Sequence, residues 1–109
     1  MAYDEMLGIR IRAALGTLPA LEEKRMFGGI SFLVNGNMAC GVHKDGLIVR
    51  VGAGKYDWAL SQPHTRPFDM TGRPMTGWVM VDPPGCATES ALQAWLDLGL
   101  AFAQSLPGK

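Results

Sequence analysis

The side chains best suited to chemistry are Cys40 and Cys86, His43 and His64, and the arginines Arg50, Arg66 and Arg73 with Asp69 among them. A cysteine nucleophile needs a neighbouring base or a positive field to form its thiolate. Cys40 falls on the expected core face of a strand, where it acts as a small hydrophobe with a raised pKa. Cys86 follows Pro83-Pro84-Gly85 in a turn and is expected to be exposed. Zinc needs several converging ligands, and Cys40 and His43, three apart on a strand, face opposite ways. No nucleophile–base pair is recognisable. Catalytic residues, metal ligands and cofactors are therefore assigned to none of these positions, and an enzyme of unknown type ranks last among the readings.

The arginines are more informative. Arg50 interrupts an apolar strand on its less apolar face, and the loop 63–74, with His64, is positioned to fold over the same edge. Two or three guanidiniums held together would clamp a carboxylate or a phosphate bidentately. The plainer expectation is that Asp69 pairs with Arg66 or Arg73 and pins the loop, as surface arginines commonly do. Arg50, Arg66, Arg73 and Trp78 are the candidate binding residues. Gly28-Gly29 leads into a strand rather than a helix, so it lacks the amide-lined helix start that phosphate loops use. Its glycines are expected to serve a bulge or a close backbone approach.

The elements that must position these residues follow from periodicity. Asp4 caps a helix running to about Leu15, with Leu7, Ile11, Ala14, Leu15 and Leu18 at helical spacing. Gly16 and Pro19 end it, and the segment 19–24 is expected to be a polar connection. From Met26 the period becomes two, with Ile30, Phe32 and Val34 on one face and Ser31 and Leu33 on the other. A two-residue turn at Asn35-Gly36 suits the turn chemistry. A longer loop over 35–37 pairs Val34 with Met38, Phe32 with Cys40 and Ile30 with Val42, and is preferred because it stacks apolar on apolar.

A turn at Asp45-Gly46 would pair Val42 with Val49 and Lys44 with Leu47, leaving Ala39, Gly41, His43, Ile48 and Arg50 on the second face. A short helix over 55–61, a loop with an extended piece over 66–69, a strand over 77–82 and a Thr88-capped helix complete the chain. That helix presents Leu92, Trp95, Leu96, Gly99, Phe102, Ala103 and Leu106 on one stripe. The order is helix, three strands, helix, two strands, helix: an α+β, two-layer domain with an antiparallel sheet. One sheet face is covered by helices and the other is open or covered by a partner. Met26, Met38, Met70, Met75 and Met80, with Trp58 and Trp78, supply apolar surface for that second face, favouring an interaction module or a homodimer.

At 109 residues, 48% hydrophobic and 18% charged, the chain is one globular domain spanning 1–109. Its net charge of zero and pI near 6.7 supply no global pull toward phosphate backbones, so direct nucleic-acid binding is not expected. Two cysteines, an N-terminus without a signal-peptide pattern and the lack of a membrane-length apolar run indicate a cytoplasmic protein.

The stretch RMFGGISFLVNGNMACGV over 25–42, then LIVRV over 47–51, then the Leu92/Trp95 helix resemble the N-terminal domain family of TfoX/Sxy, bacterial regulators of competence development. The resemblance implies an α+β fold akin to the secretion-chaperone-like architecture. It also implies regulation through protein partners, including the transcription machinery of competence genes. Full-length members carry a second, C-terminal domain, which is expected to be missing after Lys109. The family brings no accepted catalytic residues. The leading expectation is a regulatory protein–protein interaction module; the alternative is a small anionic-ligand binder using the arginine cluster.

Overall fold

The computed structural model describes residues 3–26, 28–69 and 72–108. Phe27 of the RMFGG stretch and Met70 of the methionine set lie outside them. The described residues run in the order α1 (Glu5–Leu15), β1 (Leu21–Met26), β2 (Gly29–Val34), β3 (Asn37–His43), β4 (Gly46–Arg50), α2 (Tyr56–Leu60), β5 (Thr65–Pro67), β6 (Trp78–Val81) and α3 (Glu89–Ser105). Single 3-10 turns precede α2 and α3. The six strands form one antiparallel sheet in the order β1-β2-β3-β4-β6-β5.

The helix ends follow the expected capping chemistry. The Asp4 carboxylate accepts from the Met6 and Leu7 amides, and the Thr88 hydroxyl accepts from the Ala91 amide. Leu7, Ile11 and Leu15 of α1 and Leu92, Trp95 and Leu96 of α3 are buried against Phe32, Cys40, Val42, Leu47, Val49, Val79 and Val81. Helix α3 lies directly on β3: a Cβ at Gly99 would collide with the Ala39 carbonyl.

The first strand corrects the sequence reading. Residues 21–24, expected within the 19–24 connection, belong instead to β1, a fourth strand before α2. It pairs along its length with β2 from Leu21↔Val34 to Met26↔Gly29. Glu22, Glu23, Lys24 and Arg25 are exposed, so no apolar alternation marks the strand; backbone pairing at a sheet edge creates it, and its charges suit an edge. Glu23 is tied to α1 by Arg12, whose Nε donates at 2.8 Å.

The two turn readings for the next hairpin prove compatible. The reversal is the two-residue Asn35-Gly36 turn, with φ of 54° and 80°. Ile30↔Val42 and Phe32↔Cys40 nevertheless pair as expected from the longer loop, because a bulge between Phe32 and Leu33 takes up the extra residue. Val34 then pairs with Asn37, not Met38. The bulge also moves Ala39 to the helical side, where it packs with Val34 and Ala103. The following turn is Lys44-Asp45 rather than Asp45-Gly46: Val42 pairs with Leu47 and Cys40 with Val49. This two-residue displacement keeps Val42, Leu47 and Val49 on the helical face and Ile48 on the second face, as expected.

The second face of the sheet is not left open. Leu33, Met38, Ile48 and Met80 form a separate cluster with Phe68, and Met75 and Trp78 pack against it. Phe68, only 1% exposed, belongs to the segment between β5 and β6. The chain therefore folds its own loop over this face. Trp58 does not contribute there: it stands half-exposed on α2 and its ring lies 6.1 Å from that of Trp95.

Candidate functional site

A cleft of about 370 Å³ opens on the second face of the sheet. His43 lines it from the end of β3, Lys44 from the turn that follows, Arg66 from β5, Phe68 and Asp69 from the next loop, and Met80 from β6. Between them β4 begins with Gly46, whose missing side chain lets the Met80 methyl lie across the strand; a Cβ would strike it. The floor is thus apolar and the rim charged. The Phe68 ring meets the His43 ring edge-on at 6.3 Å. Lys44 is fixed through its backbone, with φ of 56° and its carbonyl accepting from the Asp4 amide at 2.7 Å.

The expected pairing of Asp69 with Arg66 or Arg73 does not form. Arg66 Nε donates to Asp82 Oδ1 at 3.0 Å, because β5 and β6 are neighbours and place the two side chains on the same face. Among the described residues, neither Lys44 nor Asp69 makes an ion pair, and the terminal nitrogens of Arg66 make no hydrogen bond.

Arg50, Trp78 and Arg73 are absent from the cleft lining. Arg50 lies at the far end of β4, paired across the strands with Trp78. Its guanidinium carbon sits 5.0 Å from the Trp78 ring centroid and 5.2 Å from that of Phe102 on α3. Phe102 reaches it past Gly52, where a side chain would meet the ring. Arg50 is therefore a cation held between two aromatic faces, joining sheet to helix. Arg73 is exposed in the loop, as is His64 in the connection before β5.

Both thiols are buried. Burial alone pushes the Cys40 thiol from 9.0 up to about 12, which leaves it without thiolate at neutral pH. Cys86 is 2% exposed, correcting the expectation of an exposed turn cysteine. The 3-10 turn Pro83–Cys86 tucks it under α1, where Arg10 donates to the Cys86 and Ala87 carbonyls at 2.9 and 3.2 Å and to Glu89 at 2.9 Å. Burial raises the Cys86 pKa, opposed in part by the Arg10 charge. Among the described residues, no three His, Cys, Asp or Glu side chains converge as metal ligands, and no helix is long and apolar enough to cross a membrane.

Sequence reasoning missed Lys44 and the cleft role of His43. The available signal was Gly46, a small residue on the second face between two polar strand ends. It missed Arg10 as well, because its carbonyl partners lie more than seventy residues away in the chain.

Neither a curated protein nor a solved structure matches the chain. The family model described as TfoX N-terminal domain matches residues 13–103, from the last turn of α1 to the last turn of α3. That span takes in the whole sheet, both sides of the cleft and the aromatic clasp around Arg50. This chain belongs to the TfoX N-terminal domain family.

Proposed function

We propose that the domain is a regulatory protein–protein interaction module acting in the cytoplasm, tied to the control of competence or transcription in a bacterium. The family match over residues 13–103 carries this reading. The surface supports it in a different place from the arginines. Among the described residues, the large apolar side chains most open to solvent are Met6 (63%), Ile9 (52%) and Trp58 (50%), all on the helical layer. Met6 and Ile9 are three apart on α1 and so lie side by side on one helix face. Exposed apolar residues of this size are common anchors for a protein partner, including a second copy of the same chain. The neutral net charge gives a protein partner the advantage over nucleic acid.

The test is capture of partners from host lysate with the whole chain, with and without nuclease, beside a Met6→Ser/Ile9→Ser variant of unchanged fold. A stoichiometric partner that survives nuclease and is lost with the double variant supports the reading. A partner that disappears on nuclease treatment, or one retained equally by the variant, overturns the assignment to this helix face.

A further inference from the structure

We propose that the cleft between the β3–β4 turn and the β5–β6 loop is a binding site for a small zwitterion of the amino-acid type. Its carboxylate would be held by Lys44 and Arg66, its ammonium by Asp69, and its apolar body by Phe68 and Met80.

The volume comes first. At about 370 Å³ the cleft is at the small end of the ligand-sized range. The charge arrangement then selects the ligand. A receptor for a bare anion concentrates cations, whereas the charges here balance. Arg66 is already shared with Asp82 through its Nε, so its terminal nitrogens are left as donors while the neighbouring carboxylate offsets part of its positive field. Lys44 supplies one positive charge and Asp69 one negative charge. Both line the same cleft, yet they do not close the ion pair that would neutralise them. One carboxylate receptor and one ammonium receptor therefore line the same cleft without closing on each other. A ligand bearing both charges satisfies both, whereas phosphate would meet Asp69 as a repulsive neighbour.

The floor reinforces the choice. Phe68 and Met80 are buried to 1% and 2% exposure and present a ring and a thioether chain. Met80 lies over Gly46, so a flexible side chain rather than backbone defines the depth of the cleft. The position of Lys44 is set independently of the loop, since its turn is bridged to Tyr3 and hydrogen-bonded to Asp4. Arg66 is set by the β5–β6 pairing and by Asp82. The backbone carrying both cations is thus fixed, Lys44 in its turn and Arg66 within β5, which favours recognition of the carboxylate end first.

The experiment titrates isotope-labelled whole chain with L-leucine, L-methionine and L-phenylalanine, following backbone NMR shifts. 4-Methylpentanoate, isoamylamine and inorganic phosphate serve as probes that keep only part of the ligand. The expected result is saturable shifts at residues 43–46, 66–69 and 80 with at least one amino acid. Each partial probe should bind at least roughly tenfold more weakly, the scale of one lost charge-assisted hydrogen bond. Asp69→Asn should remove the preference for the amino acid over 4-methylpentanoate, while Lys44→Gln should weaken both. Phosphate or 4-methylpentanoate binding as tightly as the amino acids, an Asp69→Asn variant with unchanged preference, or no saturable shift with any of them would overturn the proposal. Both substitutions fall at exposed positions, and the unliganded spectrum of each variant reports its fold directly.

Discussion

The two faces of the sheet are built from different materials. The helical face is aliphatic and closed: Phe32, Val42, Leu47, Val49, Val79 and Val81 are all fully buried beneath two capped helices. The opposite face is methionine and aromatic, covered by an irregular loop, and it ends in a charged cleft. Regular helices with fixed rotamers give a rigid, unique packing, whereas methionine and loop cover give a packing that adapts. The comparison teaches that rigid packing and a ligand-sized cleft are divided between the two faces of the sheet. One substitution on each side measures this. Phe32→Ala removes a fully buried ring between two rigid layers and should cost about 3–5 kcal/mol in denaturant unfolding. Phe68→Ala removes an equally buried ring beneath a loop that can settle, so a loss at the lower end of that range, about 3 kcal/mol, is expected. Equal losses would show the loop to be as rigid as the helices and would break the comparison.

A second way to sharpen it uses Cys40, which lies at the centre of the helical face. The native thiol keeps its proton until about pH 12, whereas the unfolded thiol loses it near the ordinary 9.0. Between those values the native state binds more protons than the unfolded state, so stability falls as pH rises; below 9 the contribution is fully present. One unit above the ordinary value, near pH 10, the loss from this group is about 1.4 kcal/mol. Cys40→Ala should start lower at neutral pH because of its cavity, yet decline less steeply from pH 9 upward. Parallel decline of the two proteins in alkaline denaturant titrations would place solvent at Cys40 and contradict a dry helical face.

The difference between the faces also explains what could be read from the chain. On the helical side each element carries its own signal: capping residues at Asp4 and Thr88, a 3.6-residue stripe through Leu92, Trp95 and Leu96, and a period of two through Ile30, Phe32 and Val34. The hairpin register was legible in part: Ile30 and Phe32 pair as expected with Val42 and Cys40. The bulge that lets Asn35-Gly36 close the turn left no sequence signal, and it pairs Val34 with Asn37. Strand β1 was not, because an edge strand with Glu22, Glu23, Lys24 and Arg25 exposed buries no face that could impose a pattern. The second face was half legible. The side-chain alternation located Ile48, Arg50, Trp78 and Met80 correctly, but the cover comes from Phe68 and Met75 in a segment of proline and glycine without periodicity. For the same reason the arginines could be named as a set, although what each one touches depends on strand order. That order puts Arg66 beside Asp82 and leaves Arg50 to Trp78 and Phe102.

Arg50 tests the boundary between the two faces. Its guanidinium lies between Trp78, which packs on the loop-covered cluster, and Phe102 from α3. Arg50→Ala should cost about 1 kcal/mol, between the values for exposed and fully desolvated cation–π contacts. Arg50→Lys should recover part of that loss, because the charge is kept but the planar group that stacks is not. Thermal unfolding in which Arg50→Met matches the wild-type protein would show that the aliphatic stem, rather than the charge, does the joining.

The smallest expected effect belongs to Arg66. Its ion pair with Asp82 is half-exposed on both sides, at 51% and 38%, and pairs of this kind contribute about 0–1 kcal/mol. Arg66→Gln should therefore leave the unfolding midpoint nearly unchanged, and the small difference should shrink further as salt is added. This near-neutrality is what gives the substitution its value. A residue that the fold scarcely needs, yet that is held at a set position on a strand beside a charged cleft, separates the two divisions of labour. If Arg66→Gln proves as costly as Phe68→Ala, the cleft is part of the stabilising core. If stability is kept while L-leucine binding weakens, the cleft on the second face is a ligand site separate from the stabilising core.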